Sequence, residues 1–322
     1  MIRVDDRFAS MGGVARVTLE SETQSEAALE RHAAAIRAVI EDAEAGLSRF
    51  RVDSELSALN RDRRIAVPAS PLLRHFALAV RSAGARSGGL VDATLLAPLE
   101  RQGYTTSRAG VAPAVLDEAL AAAPPRRPAR PHPARAHAGV GVDGRGRVVR
   151  PAGVRLDSGG LGKGLAADLA AITVPAGIRY AISCGGDLAV GGASPSSPWE
   201  VAVHSARTGA SVHRLRVRHG GVATSGISSR LWQRPDGTYA HHLIDPSTGA
   251  PAWTGLLAVT AVAATALDAE VLAKTAMLSG PGRARTLLAR RGGVLQHEDG
   301  RVEIVAGPPA VRLRRPALET RA

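Results

Sequence analysis

From Arg155 onward glycine recurs every few residues, and what lies between the glycines is short and largely apolar: YAISCGGDLAVGG, WEVAVHS, HRLRVRHGGVATSG, HHLIDPSTGAPA and LLAVTAVAATAL. Runs of this length between turns build antiparallel strands, so the second half must form a sheet from hairpins. The first half reads differently. Val14 to Glu20 alternates like a strand, and Thr23 with Glu26 forms a capping box that opens a helix through Leu29, Ala33, Ile36, Ile40, Ala43 and Leu47. SRFRVDSELSALN, residues 48–60, mixes that helix's end with a short second helix capped by Asp53 or Ser54. Ser70 and Pro71 open a third helix, which Gly88 and Gly89 end, and a loop carrying Asp92 and Thr94 follows. An Ala-rich helix spans residues 114–122, and AAAPPRRPARPHPARAHA, residues 121–138, then reads as an exposed basic loop before a hairpin near Val140 to Val149. Helices over Asp268–Leu278 and Pro281–Arg291, a hairpin over Gly293–Val305 and a loose tail after Gly307 complete an α+β chain read as a single domain over residues 1–322.

At 322 residues with 45% apolar side chains, core size is not a constraint. Cys184 is the only cysteine, so no intramolecular disulfide and no cysteine-built zinc site exist, and Cys184 itself reads as a small buried filler. Asp5 and Asp6 sit where a signal peptide would begin its apolar run, and Leu256 to Leu267 is too short to span a bilayer. The expectation is a chain without a membrane span, cytoplasmic by default. The net charge of +12 invites a nucleic-acid partner, but aromatic residues make up 3% of the chain and the arginines are scattered. No nucleic-acid partner is therefore expected.

Of 41 basic residues only Lys163 and Lys274 are lysines, and Asn60 is the only asparagine. In a chain so biased toward arginine, the rare residues mark places where chemistry is not exchangeable: an ammonium is a compact point charge and a guanidinium a planar fork. Lys163 lies in LDSGGLGKGLAAD, residues 156–168, a glycine-rich turn with Asp157, Gly159, Gly160, Gly162 and Gly164 that enters a helix near Leu161. Backbone N–H groups and the helix N-terminus make such a turn an anion site, although the spacing is neither a Walker loop nor a Rossmann fingerprint, and a tight strand-to-helix turn reads equally well. Cys184, Gly185, Gly186 and Asp187 read equally as a bulge approached by a ligand or as a hairpin turn. His242 stands three residues before the Asp245, Pro246, Gly249 turn, either projecting into a cleft as a proton carrier or capping the turn. Ala223, Thr224, Ser225 and Gly226 read as a small hydroxyl- or anion-binding turn. Glu270 and Lys274 are spaced for an i,i+4 ion pair, ordinarily a solvated one. Asn60 either closes a turn or bonds a ligand.

In order, FASMG (8–12), SRFRVDSELSALN, GGLVDATLLAPL (88–99), LDSGGLGKGLAAD, CGGDLAVGG (184–192), ATSG (223–226), HHLIDPSTG (241–249) and AEVLAKTA (269–276) resemble the ApbE-type flavin transferases. That resemblance implies an α+β architecture of the tunnelling-fold type with FAD in a cleft between two halves. It also implies transfer of FMN from FAD to a threonine of an acceptor flavoprotein, with release of AMP. By matching position, Met11, Ser54, Asn60, Asp92 and Thr94 would serve the flavin side, and Gly160, Gly162 and Lys163 the pyrophosphate, with Asp187, Thr224 and Asp245 nearby. His242, Lys163 and Lys274 would do the chemistry. The family's late helix reads Ala-Asp-x-Leu-x-Thr, whose aspartate and threonine hold magnesium together with a backbone carbonyl of the glycine-rich turn. Here Glu270 and Lys274 stand at those positions, so a magnesium site would rest on Glu270 and the Gly162 carbonyl, or the Lys274 ammonium would lie where the metal would be. The alternative reading is a flavin-binding carrier or scaffold of the same fold that no longer transfers.

Overall fold

The computed structural model describes residues 1–192 and 197–307. The tail expected to be loose lies, from residue 308 on, outside the described residues. The strands are β1 (Ile2–Ser10), β2 (Gly13–Ser21), β3 (Ala66–Pro68), β4 (Gly141–Val142), β5 (Arg147–Val149), β6 (Arg179–Cys184), β7 (Asp187–Gly191) and β8 (Trp199–His204). They continue as β9 (Ser211–Val217), β10 (Gly220–Gly226), β11 (Leu231–Gln233), β12 (Tyr239–His241), β13 (Leu256–Ala263), β14 (Gly293–His297) and β15 (Val302–Val305). The helices are α1 (Glu26–Leu47), α2 (Glu55–Arg61), α3 (Pro71–Arg86), α4 (Leu96–Arg101), α5 (Leu116–Ala122), α6 (Gly162–Ile172), α7 (Ala266–Ser279) and α8 (Pro281–Leu288).

Eight strands form one open antiparallel sheet in the order β1-β2-β6-β7-β10-β13-β14-β15. Helices α1, α6, α7 and α8 lie side by side across one face. Helix α1 buries Leu29, Ala33, Ile36, Ile40 and Ala43, the stripe its 3.6-residue period specifies, against Val17, Leu19 and Ile182 of the sheet, and its last residue Leu47 in a second cluster with Leu56, Leu73 and Phe76. Each leucine or isoleucine removed from water contributes roughly 1.5–3 kcal/mol. Its cap is Ser25, whose hydroxyl accepts from the Ala28 N–H, rather than Thr23, which is held in the preceding turn by the Ser21 hydroxyl. The β8–β9 hairpin packs Trp199, Val201 and Leu215 against Val190 and Val222.

Local details decide where the site forms. Met11 and Gly12, both with positive φ, make the two-residue turn between β1 and β2. Gly185 and Gly186 do the same between β6 and β7, so that segment is a hairpin turn and not a bulge. Residues 223–226 are not a turn but part of β10. The basic stretch after Ala122 has no regular structure until a single 3₁₀ turn at Ala136–Gly139, yet it is tied down: Arg127 N–H donates to Trp253 O, Ala129 N–H to Leu278 O and Arg130 N–H to an Asp245 carboxylate oxygen. Among the described residues no helix is long and apolar enough to cross a membrane.

Candidate functional site

A cavity of about 450 Å³ opens where the N-terminus of α6, the middle of α7, the end of α1 and the loops after β1 and β12 converge. Its floor is the glycine-rich turn. Asn60 sets that turn by pairing like a neighbouring strand: its amide donates to Leu156 O at 2.8 Å and accepts from Leu156 N–H at 2.7 Å. The Ser158 hydroxyl then donates to Leu47 O at 2.6 Å, joining the turn to the end of α1. Gly159, Gly160, Leu161 and Gly162 line the cavity, and α6 begins there, with the Gly162 N–H donating to Ser158 O and the helix dipole adding partial positive charge.

Helices α6 and α7 touch backbone to backbone. A methyl group on Gly164 would sit 2.7 Å from Leu267 Cα, so only glycine permits the approach. Asp168 of α6 fixes the pair by accepting from the Ala266 and Leu267 N–H groups at the start of α7, at 2.8 and 2.9 Å. Glu270 thereby comes to lie behind the glycine-rich turn. One of its oxygens accepts from the Gly164 N–H at 2.9 Å and the other from the Lys274 ammonium at 2.8 Å. This is not the solvated pair that the spacing ordinarily signals: side-chain exposure is 1% for Glu270 and 10% for Lys274. The Lys274 stem runs past Gly160 and its end reaches the cavity wall.

Lys163 enters from the other side, 2.6 Å from Asp187 at the start of β7. Burial works against the Lys163 ammonium, but Asp187 and Glu270 outweigh it and raise its pKa above the ordinary value. The Asp187 carboxyl is pushed up to about 6, chiefly by burial, with Lys163 opposing. Glu270 is held below the usual carboxylate range: Lys274 and Lys163 together overcome the burial that would raise it. The four charges form one buried cluster under the turn.

His242 lines the same cavity, with its Nδ1 buried and without a hydrogen-bond partner among the described residues. Burial first, then the Arg230 charge, His241 and the two lysines, depress its pKa well below the ordinary value, so the ring is neutral at physiological pH. His241, by contrast, is a core residue. Its Nδ1 accepts from the Leu243 N–H, its ring stands edge-on to Trp253, and burial pushes its pKa down to about 3.

The opposite wall is apolar and aromatic: Leu47, Phe50, Leu90, Leu95, Leu99 and Tyr104. Arg49, Arg51, Arg108 and Arg230 stand around it. Sequence reasoning missed these four. Arg49 is 2.7 Å from Asp157 and its guanidinium stacks on Phe50 and Tyr104, while Arg108 lies over Trp232. Arg49 and Arg51 lie in the family-like segment 48–60, whereas nothing in the sequence separates Arg108 and Arg230 from the other arginines.

Of the residues singled out from sequence, Met11, Asp92, Gly160, Gly162, Lys163, His242 and Lys274 line the cavity. Asp187 and Glu270 stand one layer behind, each bonded to a lysine that does. The remainder hold the frame. Ser54 caps α2 by accepting from the Ser57 N–H. Asn60 binds backbone rather than ligand. The Thr94 hydroxyl donates to Asp92 at 2.6 Å. The Asp245 carboxylate is occupied by Ser247 and the basic stretch. Thr224 is misplaced for a ligand contact: its neighbour Ala223 packs on α7, so strand alternation turns Thr224 to the far face, where it meets Thr260 at 2.8 Å.

A divalent metal does not fit the donors here. Among the described residues no group of three or more His, Cys, Asp or Glu side chains could hold one, and both Glu270 oxygens are already engaged, one by an ammonium. A hard cation asks for several free oxygens, and a charged lysine offers none.

The profile described as "ApbE family" matches residues 11–296. The FAD:protein FMN transferase of Treponema pallidum is 30% identical over 303 residues, covering 88% of this chain and 81% of that protein. The protein of the same description from Salmonella typhimurium is 29% identical over 265 residues, 76% of this chain and 70% of that one. Among solved structures, the ApbE protein of Thermotoga maritima superposes with a TM-score of 0.76 at 23% identity, over 94% of this chain and 97% of that one. The flavinyl transferase ApbE of Pseudomonas stutzeri gives 0.71 at 24%, over 93% of each. At those identities the structural likeness is one of fold.

Proposed function

The chain belongs to the ApbE family, and from that premise we propose that it is an FAD:protein FMN transferase whose substrate lies in the cavity described above. The observation that carries the reading is the division of that cavity into two chemistries. A helix N-terminus, two ammonium groups and the nearby Arg230 guanidinium suit a diphosphate, and an apolar, aromatic wall suits a flavin ring.

In this reading FAD is the substrate and a threonine hydroxyl of an acceptor flavoprotein is the nucleophile. The hydroxyl oxygen attacks the FMN phosphorus in line, forming a phosphoester bond. The bond from that phosphorus to the bridging oxygen breaks, and AMP leaves with the bridging oxygen and its electron pair. The hydroxyl proton goes to the neutral His242 ring. Burial, and after it the positive surroundings, make His242 by itself a weak base; a bound diphosphate offsets those charges and raises its proton affinity when it is needed. Lys163, at the first turn of α6, stabilises the charge that gathers on the leaving phosphate.

Incubating the purified protein with FAD and an apo-flavoprotein bearing a threonine at its flavin-attachment site tests this. Intact-mass analysis is expected to show the acceptor heavier by one FMN less one water, with one AMP released per transfer. FAD bound and returned unchanged, with no mass gained by the acceptor, would instead support the carrier reading, for which the altered α7 is the specific motive.

A further inference from the structure

Both lysines of a chain that otherwise uses arginine for positive charge come together at this one cavity, and each is anchored by a buried carboxylate. A buried ion pair is an expensive way to join two turns of a helix, since an apolar pair of similar volume would generally hold it as well. Helix α7 nevertheless keeps Glu270 and Lys274, although its other buried positions are mainly small or apolar. The geometry also gives Glu270 a task besides neutralising Lys274. By accepting from the Gly164 N–H it ties the ammonium to the first turn of α6, so the helix N-terminus and the Lys274 charge keep a constant spacing across the α6–α7 contact.

The other cations of the wall are placed differently. Arg49 is committed to Asp157, whereas Arg108 and Arg230 have no carboxylate within 4 Å among the described residues. A ligand with two negative charges close together therefore meets Lys163, Lys274 and at least two guanidinium groups not committed to an acid, with no cluster of acids left among the described residues to recruit a divalent ion. The Lys274 stem passes Gly160 at ordinary contact distance, its Cε 3.7 Å from where a side chain on Gly160 would begin, and delivers a compact point charge rather than a planar fork.

We propose that the Lys274 ammonium, positioned by Glu270, is the counter-charge for the diphosphate in this chain, so that FAD is bound without a divalent metal ion. This rests on FAD being the ligand. Glu270 is then a positioning residue and Lys274 a binding residue that touches the diphosphate.

FAD titration followed by flavin fluorescence, in chelator and in excess magnesium chloride, tests it. The wild-type dissociation constant is expected to agree within about twofold between the two conditions, and Lys274→Met to weaken binding by about tenfold or more in both, the scale of one charge-assisted hydrogen bond. Lys274→Met leaves the Glu270 carboxylate buried alone, so the double variant Glu270→Gln/Lys274→Met serves where the single one does not fold. The side-chain amide oxygen that Glu270→Gln introduces still accepts from the Gly164 N–H, and the same loss of affinity is expected. Lys274→Thr supplies a hydroxyl oxygen beside a freed carboxylate and is expected to bind FAD weakly in chelator and more tightly once magnesium is added. Wild-type binding that collapses on chelation, or affinity unchanged in the folded Lys274 variants, would overturn the inference while leaving FAD as ligand. No FAD binding under either condition would overturn the flavin reading and this inference with it.

Discussion

His242 and His241 are neighbours with opposite fates. Each has one buried ring nitrogen without a partner among the described residues, but His242 faces the cavity, whereas His241 is packed against Trp253 and bonded to Leu243. Replacing His242 by Ala is expected to lower FMN transfer by about 10²–10⁴-fold, the usual worth of a general base, while FAD affinity measured by fluorescence stays within a few-fold of wild type. Asn60 is the other residue whose role is set by one bond pattern. Only a side-chain amide can donate and accept as a strand neighbour does, and Asn60→Ala would strand both polar groups of the fully buried Leu156. A loss of about 2–4 kcal/mol is expected from a denaturant melt. That Asn60 matters was legible from its rarity. Its use as a backbone clamp was not, because Leu156 lies 96 residues away in the chain.

At the scale of elements, the α6–α7 contact builds the site. It depends on Gly164, where any Cβ would collide with the Leu267 backbone, and on the Asp168 cap. Gly164→Ala is expected to cost about 1–3 kcal/mol or more, since backbone on both sides leaves nothing flexible to give. It should also weaken FAD binding beyond what the loss of stability explains, because Glu270 and Lys274 would shift relative to the turn. A Gly164→Ala variant with unaltered melting temperature and FAD affinity would refute that role for the contact. The helices themselves were readable from period and caps: the α1 stripe, the Ser70–Pro71 opening of α3 and the start of α6 near Leu161 all stand where the pattern places them. Strand residues were harder. Residues 223–226 look like a turn from their glycine and hydroxyls, and only pairing with Thr260 and its neighbours makes them β10, which turns Thr224 away from the cavity.

For the whole molecule, the buried titratable groups set an unusual acid profile. His241 has a folded pKa near 3 against 6.5 unfolded, so between those values only the unfolded chain takes up the proton. Its contribution to stability is complete above pH 6.5 and is lost as pH falls toward 3. Asp168 has the reverse sign. Its carboxyl is raised to about 6 from 3.8, chiefly by burial, so its contribution is present below 3.8 and lost as pH rises through 6. His242 and Asp187 follow His241 and Asp168 respectively. The two effects oppose each other between about pH 4 and 6, where the melting temperature is expected to change little; below about pH 4 the histidine loss is joined by that of ion-paired carboxylates such as Asp62 and Glu303, whose pKa values lie near 2. Asp168→Asn should remove one offset, making stability fall with acid already across that window; a scanning-calorimetry series in which the variant keeps the wild-type slope would contradict this.

The sequence by itself determined most of the helices, the glycine-rich turn, the resemblance to a flavin-transferring family and the presence of two exceptional lysines, because period, turn chemistry and residue rarity are local properties of the chain. Only the tertiary structure decided which of those residues share a cavity. The burial of the Glu270–Lys274 pair and the selection of Arg49, Arg108 and Arg230 from among many arginines follow from close approach of segments far apart in the chain, and no local pattern encodes that approach.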